Sequence, residues 1–200
     1  HADPGAGGLY GANAWRGKMS ARQIHLARSG YYGEISFIDS QIGRLLNWIR
    51  RNRQNGGRPT WLLFTSDHGD MQGDHNLWRK TYAYEGSARI PFLLVPPIGA
   101  PAPVRKMADE VVELRDVMPT LLAVAGLPVP GTVDGVNLLP LLERRADNWR
   151  DCIHGEHCTC YGHEQEMQYV TDGRRKFIWL PRIDHEQFFD LEKDPGECHD

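Results

Sequence analysis

Asp67 and His68 stand side by side directly after the apolar run Trp61-Leu62-Leu63-Phe64. The C-terminal end of a buried strand is where open α/β sheets put their chemistry. A carboxylate oxygen suits a hard divalent cation, and an imidazole nitrogen admits a borderline one such as manganese. His75, Arg79 and Lys80 follow on the same stretch. An oxyacid ester gathers negative charge on its oxygens as it cleaves, and fixed cations aimed there stabilise the transition state. Lys80 is the candidate for that task; Arg79 adds a second anion contact or points to solvent. His75 hydrogen-bonds the ester, gives a proton to its leaving oxygen, or has a structural role. A plainer reading has Asp67 capping the next turn and Lys80 facing solvent, and spacing alone leaves both readings open.

The elements that must hold these residues can be read on either side. Residues 1–19 are rich in Gly and Ala without periodicity, which predicts loop. Ser20 caps a predicted long helix. Its apolar residues Tyr31, Ile35, Ile38, Ile42, Leu45 and Ile49 recur at alternating spacings of four and three, one face of an amphipathic helix. Gly56-Gly57 ends it. Gly30 and Gly33 inside it each cost about 1 kcal/mol against Ala and suggest close packing on a neighbour. Thr60 to Ser66 reads as a buried strand, Asp67 to about Gly86 as the loop, and Ile90 to Val95 as a second buried strand stopped by Pro96-Pro97. Val111 to Leu114 reads as a short extended segment. Asp116 to Ala125 is a helix with Pro119 in its first turn, closed by Gly126. Strand, helix and strand in alternation predict a mostly parallel sheet flanked by helices. Toward the C-terminus, Gln168 to Thr171, Lys176 to Leu180 and Gln187 to Leu191 are short strand-like runs, with Asp172-Gly173 a hairpin signal. They predict a small antiparallel sheet. The expected division is 1–148 for the α/β core and 149–200 for the antiparallel subdomain.

Composition narrows the function classes. Two hundred residues with 40% hydrophobic and 24% charged content can bury one substantial core. A net charge of -3 offers no basic excess to neutralise phosphates, which argues against a nucleic-acid partner. No run approaches the roughly 18 apolar residues of a membrane span. No charged n-region followed by an apolar h-region marks a signal peptide. The four cysteines, Cys152, Cys158, Cys160 and Cys198, are too sparse for a disulfide scaffold.

Other polar groups invite competing readings. Glu85 and Arg89 are four positions apart and read as an ion pair bracing the loop. His154, Glu156, His157, Cys158, Cys160 and His163 are dense enough to suggest zinc. The Cys-x-Cys gap is shorter than that of structural zinc sites, so this segment reads as a loop at a pocket rim. Asp109, Glu110 and Glu113 read as a solvated face.

Several stretches together resemble the sulfatases of the alkaline phosphatase superfamily. They are Ser66-Asp67-His68-Gly69, Gly73-Asp74-His75, Leu77-Trp78-Arg79-Lys80 and Tyr84 to Pro91. Asp116 to Leu122 with Ala125-Gly126, Asp134 to Leu142, and Phe189 to Glu197 follow in the family's order. The resemblance implies an alkaline-phosphatase-like sheet and metal-dependent cleavage of a sulfate monoester. It implies that Asp67 and His68 bind the metal and that Lys80 contacts the sulfuryl group. Many family members carry Asn where His68 stands, so calcium is expected with manganese open beside it. The family usually has Gly where Arg79 stands. The substrate would be a sulfated small molecule or glycan, and the location periplasmic or extracellular.

The resemblance is incomplete. The family's nucleophile is a formylglycine made from Cys or Ser in a Cys-x-Pro/Ala-x-Arg signature, and no cysteine or serine here has that context. The two N-terminal metal aspartates of the family are missing too. The chain is therefore expected to be the C-terminal part of a sulfatase, inactive by itself. A phosphoester or phosphonate monoester hydrolase of the same superfamily is the alternative, and a non-catalytic accessory homologue a third reading.

Overall fold

The computed structural model describes residues 16–101, 107–143 and 148–200. The stretch expected as N-terminal loop lies outside them up to residue 15. The chain divides into two compact units, 1–100 and 101–200.

The first unit opens with helix α1, Ala21–Gln54. Ser20 and Gln23 form a capping box, each side chain meeting the other's backbone N–H, which satisfies two donors a helix start leaves open. Arg51 and Arg53 in the last turn complement the helix dipole, and Gly56 leaves the helix at φ 79°. The apolar face expected from the spacing is there but uncovered: α1 has no buried residue, and Tyr31, Ile35, Ile38 and Leu45 are exposed. Among the described residues nothing lies within 4 Å of where a Cβ on Gly30 or Gly33 would stand, so the close packing expected of them is not seen there.

Strands β1, Leu62–Thr65, and β2, Phe92–Val95, pair antiparallel, Leu62 opposite Val95 and Thr65 opposite Phe92. The parallel sense expected for them is corrected. A parallel pair needs a crossover of a dozen or more residues, usually helical. Between these strands the only helix beyond a 3-10 turn is the four-residue α2, Glu85–Ala88. The strands are also not buried as expected: Phe64, Leu93 and Val95 are exposed, and among the described residues each strand pairs with one neighbour. Among the described residues no strands pair in parallel.

In the second unit a 3-10 turn, Leu114–Asp116, leads into α3, Val117–Val124, with Gly126 at φ 71° beyond its end. Val111 and Val112, expected as an extended segment, join no strand; the Val111 carbonyl accepts from Trp149 Nε1 at 2.8 Å. Asp116 is fully buried and organises this region. Its carboxylate accepts the Val136 N–H at 2.8 Å and the Glu113 N–H at 2.9 Å, and pairs with Arg150 at 2.7 Å. Thr120 Oγ1 donates to the Asp116 carbonyl and accepts from Leu138 N. Gly135 is required there, since a Cβ would stand 1.9 Å from the Arg115 carbonyl oxygen. A short helix α4, Leu139–Leu142, follows.

The antiparallel sheet has four strands in sequence order: β3 Ile153–His157, β4 Met167–Thr171, β5 Arg175–Leu180 and β6 His185–Asp190. Three of them match the expected runs. β3 lies in the segment read as a rim loop, and that reading is corrected. Gly155 faces Tyr169 across the ladder, and the tyrosine ring occupies the space a Cβ would need. Met167, Lys176, Ile178 and Phe189 are buried; Val170, Phe177 and Phe188, opposite one another on three strands, are exposed. Lys176 meets Glu197 in a buried ion pair of 2.8 Å.

Candidate functional site

The loop after β1 runs from Ser66 to Tyr84 and folds back on itself. Gly69 N–H donates to the Ser87 carbonyl at 2.8 Å. A Cβ on Gly69 would stand 2.2 Å from the Gly86 carbonyl oxygen, so only glycine admits this approach. Met71 N–H donates to the Arg79 carbonyl at 2.7 Å and closes the neck of the loop. From α1, Arg28 reaches over, donating to the Gln72 carbonyl at 2.9 Å and pairing with Asp74 at 2.8 Å.

At the start of the loop, Asp67, His68 and Lys80 meet. His68 Nδ1 lies 2.8 Å from the Gly69 carbonyl oxygen and Nε2 lies 2.7 Å from Lys80 Nζ. A carbonyl can only accept and an ammonium can only donate. The Nδ1 of His68 therefore carries the hydrogen, and Nε2 presents its lone pair. Asp67 Oδ2 is 3.3 Å from the same Nε2. The Asp67 carboxylate and the Lys80 ammonium thus both lie beside His68 Nε2. The Asp67 side chain is 81% exposed and that of His68 37%, so the loop is open there.

His75 sits in a 3-10 turn, Asp74–Asn76, with its backbone left-handed at φ 55°. Its ring stacks on the buried ring of Tyr84, centroids 4.3 Å apart, which fixes the imidazole plane. Arg79 and Thr81 are also left-handed, at φ 69° and 77°. A side chain in that region costs about 1–2 kcal/mol, and Lys80 stands between the two. Glu85 and Arg89 form the expected ion pair, at 3.5 Å. The structure thus brings together Asp67, His68 and Lys80, while His75 is held on Tyr84 and Arg79 enters through its backbone.

The residues that shape this loop were not among the sequence candidates. Asp70, Ser87 and Arg28 hold its backbone, and only long-range backbone partners reveal them. Among the described residues no group of three or more His, Cys, Asp and Glu side chains is set to hold a metal. All four cysteines are exposed free thiols. Among the described residues no helix is long and apolar enough to cross a membrane.

Comparison with known proteins supplies a frame for this geometry. Residues 9–127 match the family model described as sulfatase. Residues 73–200 match that described as N-sulphoglucosamine sulphohydrolase, C-terminal. An arylsulfatase of Clostridium perfringens is 45% identical over 92% of this chain and 38% of its own length. The phosphonate monoester hydrolase of Agrobacterium radiobacter superposes with a TM-score of 0.72 at 26% identity, over 90% of this chain and 39% of that one. A structure solved with its substrate D-glucosamine-2-N,6-O-disulfate superposes with a TM-score of 0.66 at 26% identity, over 83% of this chain and 34% of that one. The chain spans about a third of the length of the curated relatives it matches.

Proposed function

This chain belongs to the sulfatase family of the alkaline phosphatase superfamily, and on that premise we propose that the intact protein hydrolyses a sulfate monoester. The observation that carries the reading is the gathering of Asp67 Oδ2 and Lys80 Nζ around His68 Nε2, at 3.3 and 2.7 Å, on an open loop.

Asp67 and His68 fit one divalent cation as part of its ligand set. The Nδ1–H bond to the Gly69 carbonyl holds the ring so that Nε2 would ligate. We assign calcium, with manganese as the alternative. Calcium takes roughly six to eight oxygen ligands, so the remaining ligands would come from outside this pair. When bound, the ion would withdraw charge from a sulfuryl oxygen. Lys80 would hold a second sulfuryl oxygen through its ammonium, and Arg79 would add a further anion contact. As the S–O bond breaks, the ester oxygen takes the electron pair, and His75, oriented by Tyr84, would supply its proton. Sulfur is attacked by a residue we place outside these 200 positions, a formylglycine in the family's pattern.

In the intact protein, residues 1–148 would complete a mostly parallel α/β core, with 149–200 as the antiparallel subdomain. The remaining part of that core would cover the exposed face of α1 and the outer faces of β1 and β2. The substrate class we assign is a sulfated small molecule or glycan. The structural likeness to a phosphonate monoester hydrolase favours one second reading, cleavage of a phosphonate or phosphate ester by the same residues.

The deciding experiment uses the full-length protein with 4-nitrophenyl sulfate, 4-nitrophenyl phosphate and a phenylphosphonate ester, before and after removal of divalent ions. The sulfate ester should be turned over with the highest kcat/KM and lose turnover on chelation. A phosphonate preference would install the second reading. No turnover of any ester would leave the non-catalytic reading.

A further inference from the structure

We propose that Asp70 is a positioning residue that holds Lys80 in its working conformation. The inference rests on the reading of Lys80 as the group that meets the ester.

Arg79 and Thr81 both have positive φ, and Thr81 is β-branched, the type that adopts this conformation least readily. Such a conformation persists only where its surroundings over-determine it. Besides the Met71 N–H bond to the Arg79 carbonyl at 2.7 Å, two side-chain contacts do so here. On one side, Asp70 Oδ1 accepts the Arg79 N–H at 3.3 Å, the Gln72 N–H at 2.9 Å and Gln72 Nε2 at 2.7 Å. On the other, the buried Ser87 hydroxyl accepts the Tyr82 N–H at 3.3 Å. A single carboxylate oxygen therefore ties the first turn of the loop to the residue preceding Lys80. The Lys80 side chain, exposed to solvent, is turned back twelve residues onto His68 by this backbone rather than by packing of its own.

An oxygen acceptor is all this role needs. Asp70→Asn keeps Oδ1 as an acceptor, and Asp70→Ala removes it. A metal ligand or proton carrier would need the carboxylate itself, so the two variants separate the roles.

The test is a double-mutant cycle of Asp70→Ala with Lys80→Ala in the full-length enzyme, together with hydrogen exchange at the Arg79 amide. Asp70→Ala should lower kcat/KM on the order of tenfold or more, the scale on which a small misplacement of a reacting group acts, mainly through kcat. In the Lys80→Ala background the same change should cost less than about twofold, because residues acting through one another are not additive. Asp70→Asn should recover most of the loss. Exchange at Arg79 should accelerate in Asp70→Ala and stay near wild type in Asp70→Asn. Full additivity with Lys80→Ala, or an Asn variant as impaired as the Ala variant, overturns the proposal. If the wild-type protein turns over no ester, the sulfatase reading falls and the exchange measurement alone decides for Asp70: unchanged exchange refutes it.

Discussion

Lys80 Nζ lies 2.7 Å from Nε2 of His68, twelve residues earlier in the chain. The lysine ammonium shares the imidazole lone pair that also faces the Asp67 carboxylate. An ammonium and a divalent ion compete for one electron pair. Binding of the ion between Asp67 and His68 would therefore release Lys80 toward an incoming anion. On the proposed reading, metal site and anion contact would be coupled through this one nitrogen.

Lys80→Ala should separate catalysis from both folding and metal binding. In the full-length enzyme kcat/KM should fall on the order of 10²-fold or more, the scale for one electrostatic stabiliser. The melting temperature should barely move, because Lys80 is exposed. Metal affinity without substrate should hold or rise, since the competing ammonium is gone. A variant that unfolds early yet turns over normally would reverse the assignment.

Asp67→Asn should weaken metal binding and abolish turnover. The amide oxygen keeps the shape but loses the negative charge that strengthens the hold on a hard cation. Its metal content after dialysis, set against that of wild type, checks the point. A variant with full metal content and full turnover would remove Asp67 from the site.

The parts of this fold legible in the sequence are those whose signals are local. Ser20 and Gln23 announce the start of α1, and the three-and-four spacing carries it to its end. The Asp172-Gly173 turn announces the β4–β5 hairpin. The sense of the β1–β2 pair was not legible, because alternation and length are the same for either direction and a long loop permits both. β3 was hidden by its own chemistry: His154 and Glu156 drew the segment into a metal-like cluster. Its half-buried alternation at Ile153, Gly155 and His157 was nonetheless present. At the site, Asp67, His68 and Lys80 could be picked by residue type. Asp70 and Asp116 could not, because their roles depend on backbone amides at Arg79 and Val136, which no spacing rule connects to them.

Acid should loosen the β4–β5 hairpin through Asp172. Desolvation pushes this carboxyl up, but the backbone N–H groups of Arg174 and Arg175 and the Arg175 charge outweigh it and hold it below its ordinary value of 3.8. Those N–H groups reach Asp172 Oδ1 at 2.8 and 2.6 Å. A carboxyl lowered in the folded state contributes stability that is fully present above its unfolded value and lost as the pH falls through the folded one. Between pH 5 and pH 3 the full-length protein should lose more urea resistance than its Asp172→Asn variant. Equal losses would show that the turn does not depend on this charge.

The buried pair of Lys176 and Glu197 should behave as a unit. Their side chains are 1% and 2% exposed and meet at 2.8 Å. Lys176 lies on β5; Glu197 closes the C-terminal stretch that begins with the buried Phe189 and turns at Asp190, whose carboxylate accepts the Glu192 and Lys193 amides. The pair thus ties the end of that stretch to the sheet. Lys176→Met removes the ammonium that meets this buried carboxylate, and breaking a buried pair from one side costs about 3–5 kcal/mol. Replacing both residues, as Lys176→Met with Glu197→Met, removes both charges and should recover most of that loss, since apolar pairs of similar volume often match a buried ion pair. Urea unfolding of the full-length single and double variants measures both steps. A single variant within about 1 kcal/mol of wild type, the scale of an exposed pair, would show that this ion pair does not hold the C-terminal stretch to β5.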